Sequence, residues 1–279
     1  MAAPGVSIIV APGTYRENLD LLGKGLYLTA VNPQDPGGGP CVVLEGTGGG
    51  PVVRFDGGHT KCGLDGFIVT RGTGQPAALY CDGASPTINH CLIVGNRTTD
   101  PNGAAIYCRD SQAVLTNCTL ADNYGGAQGA GLVLLDSDVT VINSIFWGDR
   151  PQEILRRGTS QPSIRYCDVQ GWWPDYGNIN LDPLFARRGV WVNGSDPGEA
   201  VRPEDNRAVW TAGDYHLQSQ AGRWDPARQG WVQDMVSSPS IDRGEKTTAV
   251  GNEPAPNGGI INQGVYGGTT EASKSGAGQ

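Results

Sequence analysis

The chain has 279 residues, a formal net charge of −8, 17% charged residues, 43 glycines and 19 prolines. The acidic balance excludes a nucleic-acid-binding module built on a basic stripe, since phosphate neutralisation needs clustered Lys and Arg; it leaves room for local cationic clusters that meet an anionic polysaccharide. No apolar run reaches the ~18 residues of a membrane span, regular Val, Ile and Leu exclude disorder, and no stretch of ten or more residues holds an apolar period of 3.6, so the class is all-β.

The N-terminus, Met1-Ala2-Ala3-Pro4-Gly5, has neither a charged n-region nor an apolar h-region. Strand-like sequence begins at Val6, and the chain reads as a trimmed mature form. Between Leu64 and Val169 one short phrase then recurs five times. The copies are Leu64-Asp65-Gly66-Phe67, Ile88-Asn89-His90-Cys91, Leu115-Thr116-Asn117-Cys118, Val141-Ile142-Asn143-Ser144 and Ile164-Arg165-Tyr166-Cys167. Phe67, Cys91, Cys118, Ser144 and Cys167 are equivalent and lie 24, 27, 26 and 23 residues apart. A period in the twenties marks a solenoid, whose units are too short to bury an apolar face alone and must stack.

Each unit resolves into three short strands. Alternation along them points Ile88, Cys91, Ile93, Ile106 and Cys108 inward. A chain climbing one rung of ~4.8 Å per coil builds a parallel sheet on each side. The expected fold is therefore a single-stranded parallel β-helix with three sheets and about 7–8 coils. Asn117 and Asn143 occupy one turn position, where a side-chain amide is expected to bond its own turn and the next rung. His90 shares that position, and His59 and His216 are likewise given structural roles. Seven cysteines include no CxxC pair. Zinc is therefore a weak reading, and stacking of cysteines as small buried hydrophobes is the expectation.

After Phe185 the pattern loosens. Residues 1–185 are read as the β-helix and 186–279 as a closing coil and cap of the same domain. Within that second part, 186–213 reads as loop, a tryptophan-bearing insertion holds Trp224 and Trp231, and the tail frays from about Thr270. Trp147, Trp172 and Trp173 are assigned to packing or edge covering in preference to sugar binding. Asn96-Arg97-Thr98 and Asn193-Gly194-Ser195 are glycosylation sequons, relevant only in a eukaryotic secretory host.

Several phrases carry a family resemblance. Ile8-Ile9-Val10-Ala11-Pro12-Gly13-Thr14-Tyr15-Arg16-Glu17-Asn18, Leu64-Asp65-Gly66-Phe67, Gly103-Ala104-Ala105-Ile106-Tyr107-Cys108, Tyr166-Cys167-Asp168-Val169-Gln170-Gly171-Trp172 and Asn178-Ile179-Asn180-Leu181-Asp182-Pro183-Leu184-Phe185 resemble the pectin-lyase-like, right-handed parallel β-helix superfamily, across roughly residues 6–185. Asp214-Tyr215-His216-Leu217 and Ser238-Pro239-Ser240-Ile241-Asp242-Arg243-Gly244 resemble the closing coil of its bacterial members. The resemblance implies a right-handed helix, a capping helix before the first strand for which this chain has no room, and a sugar cleft on the outer face of one sheet. Either that cap was cut away or something else covers the end. Fold does not by itself imply activity. The Asn-Thr-Asp, Asp-Asp, Gly-His-Gly and Arg-Ile-Lys segments of the superfamily's polygalacturonases are missing here, and His59 stands in Gly58-His59-Thr60. So are the Trp-Ile-Asp-His segment of pectate lyases and the Asp-Pro-His-Glu motif of alginate epimerases.

The sheet expected to carry the cleft contains Val53-Arg54-Phe55-Asp56, Leu79-Tyr80-Cys81-Asp82, Ile106-Tyr107-Cys108-Arg109 and Leu132-Val133-Leu134-Leu135. With Phe55, Cys81, Cys108 and Leu134 inward, two outward ladders follow: Arg54, Tyr80, Tyr107, Val133, and Asp56, Asp82, Arg109, Leu135. β-Elimination of a uronate needs its carboxylate neutralised, a base at C5 and an acid at the leaving oxygen. Arg54 or Arg109 suits the carboxylate. Tyr80 or Tyr107 suits the proton transfers, provided neighbouring arginines lower its pKa. Asp56 and Asp82, one rung apart, offer oxygen ligands for Ca²⁺ or a carboxylate pair for glycoside hydrolysis. The loops 98–102 and 124–129 are placed as cleft walls. The structural alternative is a surface Asp82–Arg109 ion pair beside stacked tyrosines.

The function expected is a monomeric, extracellular, periplasmic or cell-surface protein that cleaves an anionic polysaccharide or oligosaccharide by β-elimination. The alternatives are a non-catalytic binding, adhesion or structural β-helix and a paired-carboxylate hydrolase. Converging Arg, Tyr and Asp in a groove distinguish the enzyme; a flat face with scattered polar groups marks the module.

Overall fold

The computed structural model describes residues 5–31, 41–58, 61–76, 78–98, 100 and 103–276. Three parallel sheets form a β-solenoid, and no helix occurs among the described residues. The first sheet stacks Ser7–Val10, Tyr27–Ala30, Gly63–Asp65, Thr87–Asn89, Val114–Thr116, Thr140–Ile142 and Ser163–Arg165. The second stacks Gly13–Arg16, Val42–Glu45, Phe67–Thr70, Leu92–Val94, Thr119–Ala121, Ile145–Trp147 and Asp168–Val169. The third stacks Leu19–Asp20, Val53–Asp56, Leu79–Asp82, Ala104–Arg109, Ala130–Leu135 and Ile154–Arg157.

One residue turns the chain from the first sheet to the second. Gly66, His90, Asn117, Asn143 and Tyr166 fill that corner in successive coils, all with positive φ. Asn tolerates this left-handed conformation better than most residues, which accounts for its recurrence here.

The expected inward residues form one continuous core. Ile88, Cys91, Ile93, Ile106 and Cys108 are fully buried within it. Cys81, Cys91, Cys108, Cys118 and Cys167 are free thiols inside this core, and burial pushes the Cys118 and Cys167 thiols up to about 12. A thiolate reacts and a buried thiol does not, so these five should label with a thiol reagent only after unfolding. Rapid labelling of Cys118 or Cys167 in the native protein would contradict the stacked core.

The C-terminal part corrects the sequence reading in three respects. First, 186–213 is not loop: Val190–Asn193, Asp196–Ala200 and Ala208–Thr211 form an antiparallel sheet, beside a Phe185–Arg187 and Asp214–Leu217 pair. Second, this part covers a side of the solenoid. Leu92, Val94, Ala121, Ile145 and Trp147, on the outer face of the second sheet, pack against Phe185, Trp210, Tyr215, Leu217, Ile241 and Val265 as a second core. Third, the chain beyond Thr270 is anchored rather than frayed as far as Gly276. Glu271, Ala272, Ser273 and Ser275 are buried, and the Ser273 hydroxyl donates to the Leu217 carbonyl.

The asparagine ladder also lies elsewhere than expected. Asn117 donates to the carbonyls of Asn262 and Gly264, and Asn143 Oδ1 accepts from the Glu245 amide. The C-terminal segment runs along this corner, and its backbone takes the bonds that a neighbouring rung would have supplied. The stacked ladder occupies the corner between the second and third sheets. There Asn96 Nδ2 donates to Asn123 Oδ1, and Asn123 Nδ2 donates to Asp149 Oδ1. All three side chains are buried.

Candidate functional site

The third sheet holds the residues expected to bear chemistry in the register expected. Arg54 pairs with Tyr80, Tyr80 with Tyr107 and Tyr107 with Val133; Asp56 pairs with Asp82, Asp82 with Arg109 and Arg109 with Leu135. Strand alternation leaves Phe55, Cys81 and Cys108 in the core and turns the residues between them outward.

These side chains converge on one another. The Arg54 guanidinium lies 4.8 Å from the Tyr80 ring centroid, and the Tyr80 and Tyr107 rings are 5.9 Å apart and tilted by 42°. Arg109 grips Asp82 with two bonds, Nε to Oδ1 at 2.7 Å and Nη2 to Oδ2. The Tyr80 hydroxyl donates to Asp82 Oδ2 at 3.2 Å. Arg54 stands 4.0 Å from Asp56. Arg109, hydrogen-bonded to Asp82, holds that carboxyl below its usual range, with help from the Tyr80 hydroxyl.

Tyr80 departs from its expected state. Burial and the negative charge of Asp82 push its hydroxyl up, and Arg109 and Arg54 only partly oppose them. The carboxylate bound between Tyr80 and Arg109 outweighs the arginines, so the free protein does not hold a ready tyrosinate. The same geometry occupies both Asp82 oxygens, leaving Asp56 as the more open member of the carboxylate pair. No group of three or more His, Cys, Asp or Glu suited to a metal occurs among the described residues.

Other expected features resolve as follows. His59 lies outside the described residues, as do parts of the loop 98–102. His90 Nδ1 is 3.4 Å from Asp65. His216 is buried between Asp214 and Glu271 and stacked 3.6 Å from the Tyr266 ring, where it anchors the C-terminal segment. Trp147 packs in the second core, and Trp173 sits at the edge of the first with Arg156 over its ring. Trp172 does not pack in the same way: it is 55% exposed, with φ +74°. The Asn96 amide is inside the ladder and Asn193 donates to Glu199, so neither sequon offers a free acceptor.

A second constellation was missed in sequence. Two adjoining grooves share Gly148, Arg150 and Arg188: the smaller runs along the seam between the solenoid and the antiparallel sheet, and the larger continues from it over the last coil of the solenoid. One, about 540 Å³, is lined by Asp149, Arg150, Glu153, Gln170 and Trp172 among others. The other, about 220 Å³, is lined by Trp191, Arg202 and Trp210; Arg150 and Arg188 border both. Asp149 and Glu153 are buried beneath them. Burial raises both acids, and the charge of Asp149 raises Glu153 further. Glu153 Oε1 accepts from the Gly148 and Asp149 amides, and Asp149 Oδ1 takes two bonds from Asn123. The sequence signal was faint: Asn96, Asn123 and Asp149 repeat at the solenoid period, but away from the repeated phrase.

Comparison with family models, with curated proteins and with solved structures finds no match to this chain. The fold and the third-sheet cluster together define a three-sheet parallel β-solenoid whose outer face carries a contiguous arginine–tyrosine–carboxylate ladder.

Proposed function

We propose that this chain is an extracytoplasmic, monomeric β-solenoid that binds an anionic, uronate-containing polysaccharide along the outer face of the third sheet. The observation that carries this reading is the ladder Arg54, Tyr80, Tyr107, a cation and two aromatic faces one rung apart. Aromatic faces pack against sugar rings, and guanidinium groups pair with carboxylates. Such local complementarity operates on a protein that is acidic overall. Titration with pectate, alginate and glycosaminoglycan oligosaccharides should show salt-sensitive binding, weakened about tenfold by Tyr80→Ala or Arg54→Ala. Equal affinity of these variants and the parent would place the ligand elsewhere.

Cleavage by β-elimination is the second reading. It is favoured by the presence of Arg109, Tyr80 and Asp82 within one hydrogen-bonded group. In that reading Arg109 would pair the substrate carboxylate, and Tyr80, whose hydroxyl keeps its proton, would serve as the acid at the leaving oxygen and regain its proton from water. Absorbance of the unsaturated uronate product tests this, with and without Ca²⁺. Activity that Arg109→Ala abolishes supports elimination; no product on any of the three polymers leaves binding alone.

A further inference from the structure

We infer that the seam between the solenoid and the antiparallel sheet is a second anion site, one that takes a short acidic oligosaccharide through Arg150 and Arg202. The inference rests on the reading that the ligand is an acidic sugar, but not on the third-sheet ladder.

Among the described residues, eight of the sixteen arginines have no carboxylate within 4 Å, and of these eight Arg150 and Arg202 are the two that line the smaller seam groove. Arg16, Arg54, Arg71, Arg109, Arg188, Arg207, Arg223 and Arg228 each lie within 4 Å of a carboxylate. In a protein of net charge −8, an arginine has many acids to choose from. Arg150 and Arg202 are exposed and have no carboxylate partner among the described residues, yet both border the smaller seam groove. Their neighbours are already committed. Arg188 binds Asp122. Arg97 donates to the Pro203 and Asp205 carbonyls and lies over the Trp191 ring. The seam thus presents two open guanidinium groups on a rigid floor.

The surroundings suit a sugar better than a bare ion. The larger groove lies in the size range of small-ligand sites. Trp172 stands exposed at its edge in a backbone conformation that aromatic residues seldom adopt, the kind of outlier that gathers at binding sites. Gln170 and Trp173 line the same groove. Arg150 borders both grooves, so one acidic sugar paired with it can extend in either direction, towards Trp172 or towards Arg202.

The third-sheet ladder contains no tryptophan, whereas the seam and its adjoining groove have Trp172, Trp173 and Trp191. Tryptophan emission therefore reports the seam, and calorimetry reports all binding. The full chain should be titrated with a galacturonate tetrasaccharide, a sulfated glycosaminoglycan tetrasaccharide and a neutral one, at low and high salt. The expected result is a change in tryptophan emission with the acidic ligands, lost at high salt. Arg150→Ala should weaken it about tenfold or more, Arg202→Ala less, and Arg150→Lys should recover part of the affinity. Both arginines are exposed, so the melting temperatures of these variants should match the parent and separate lost binding from lost folding. Tyr107→Ala should leave the emission response intact. Binding seen by calorimetry that Tyr107→Ala removes and Arg150→Ala,Arg202→Ala spares would overturn the seam site and leave the ladder standing. A response to the galacturonate but not the sulfated ligand assigns carboxylate selectivity; the reverse makes sulfate the recognised group and overturns pairing of the arginines with a sugar carboxylate alone. No binding of any acidic ligand overturns both sites.

Discussion

Asn123→Ala should lower the melting temperature of this protein by about 10 °C. Asn123 makes four side-chain bonds inside the solenoid wall. Its Oδ1 accepts from the Asn96 backbone amide and from Asn96 Nδ2, and its Nδ2 donates to the Ile93 carbonyl and to Asp149 Oδ1. The residue is 2% exposed, so water cannot replace these partners in place. Each buried group left without a partner costs roughly 1–3 kcal/mol. The losses are not additive, and a total of ~3–5 kcal/mol is the expectation. A chain of this size shifts by about 2–4 °C per kcal/mol. Asn123→Asp would keep the acceptors and lose the two donations, while placing a carboxyl against Asp149; it should be no better tolerated. By contrast, Asn117→Ala removes bonds to the C-terminal segment alone, and its cost should fall on the docking of that segment. Thermal melts followed by circular dichroism would decide. A shift below about 3 °C for Asn123→Ala would mean that the ladder merely accompanies the stack and does not hold it.

The contrast between Asn117 and Asn123 shows what could be read before folding. Phe55, Cys81 and Cys108 could be placed inward, and Arg54, Tyr80 and Tyr107 outward, because strand alternation and the repeat leave one consistent register. Neighbouring rungs then had to set Asp82 beside Arg109. The protonation of Tyr80 was not legible, because it depends on burial and on which charge its hydroxyl meets. Nor was the identity of the true ladder: Asn117 and Asn143 lie within the repeated phrase, and their partners come from residues some hundred or more positions later. One further signal is present in the sequence itself. The second-sheet strands Leu92–Val94, Thr119–Ala121 and Ile145–Trp147 are buried along their whole length, and their sequences are apolar or small on both faces. Strands covered on both faces read this way. Leu92, Val94 and Trp147 therefore announced a cover, which Phe185, Tyr215 and Val265 supply.

Stability should be greatest in mild acid and should fall steadily from about pH 5 to pH 8. Four buried carboxyls have their pKa raised. Burial carries Asp168 to about 6 and Glu253 to about 7, and burial also raises Asp149 and Glu153. In the unfolded chain these acids ionise near pH 4. Between that value and their folded pKa, the native state holds more protons than the unfolded state, so stability declines as pH rises. Their contribution is complete below about pH 4 and is lost as pH climbs through 6 and 7 for Asp168 and Glu253. His216 acts in the same direction. Burial pulls its pKa down, but hydrogen bonds to Asp214 and Glu271 prevail and raise it. The stability it adds is present below the unfolded histidine pKa and is lost as pH rises through the folded one. Asp82 and Asp214 act in the opposite sense. Their folded pKa values are lowered, by Arg109 for Asp82 and, against burial, by His216 for Asp214. They support the fold above the carboxylate range and withdraw that support below about pH 4, which sets the acid limit. One pKa unit corresponds to ~1.4 kcal/mol. Asp168 and Glu253 alone should therefore cost at least ~2 kcal/mol between pH 5 and 8, or roughly 5 °C in melting temperature. Asp168→Asn tests the sign at one site. Asp168 accepts from the Ser240 hydroxyl and the Leu181 amide, and the amide oxygen can keep one of these while carrying no charge. The variant should lose stability relative to the parent at pH 5 and close the gap at pH 8. A flat melting temperature across pH 5–8, or a gap that widens with pH, would show that these carboxyls are not held protonated in the folded chain.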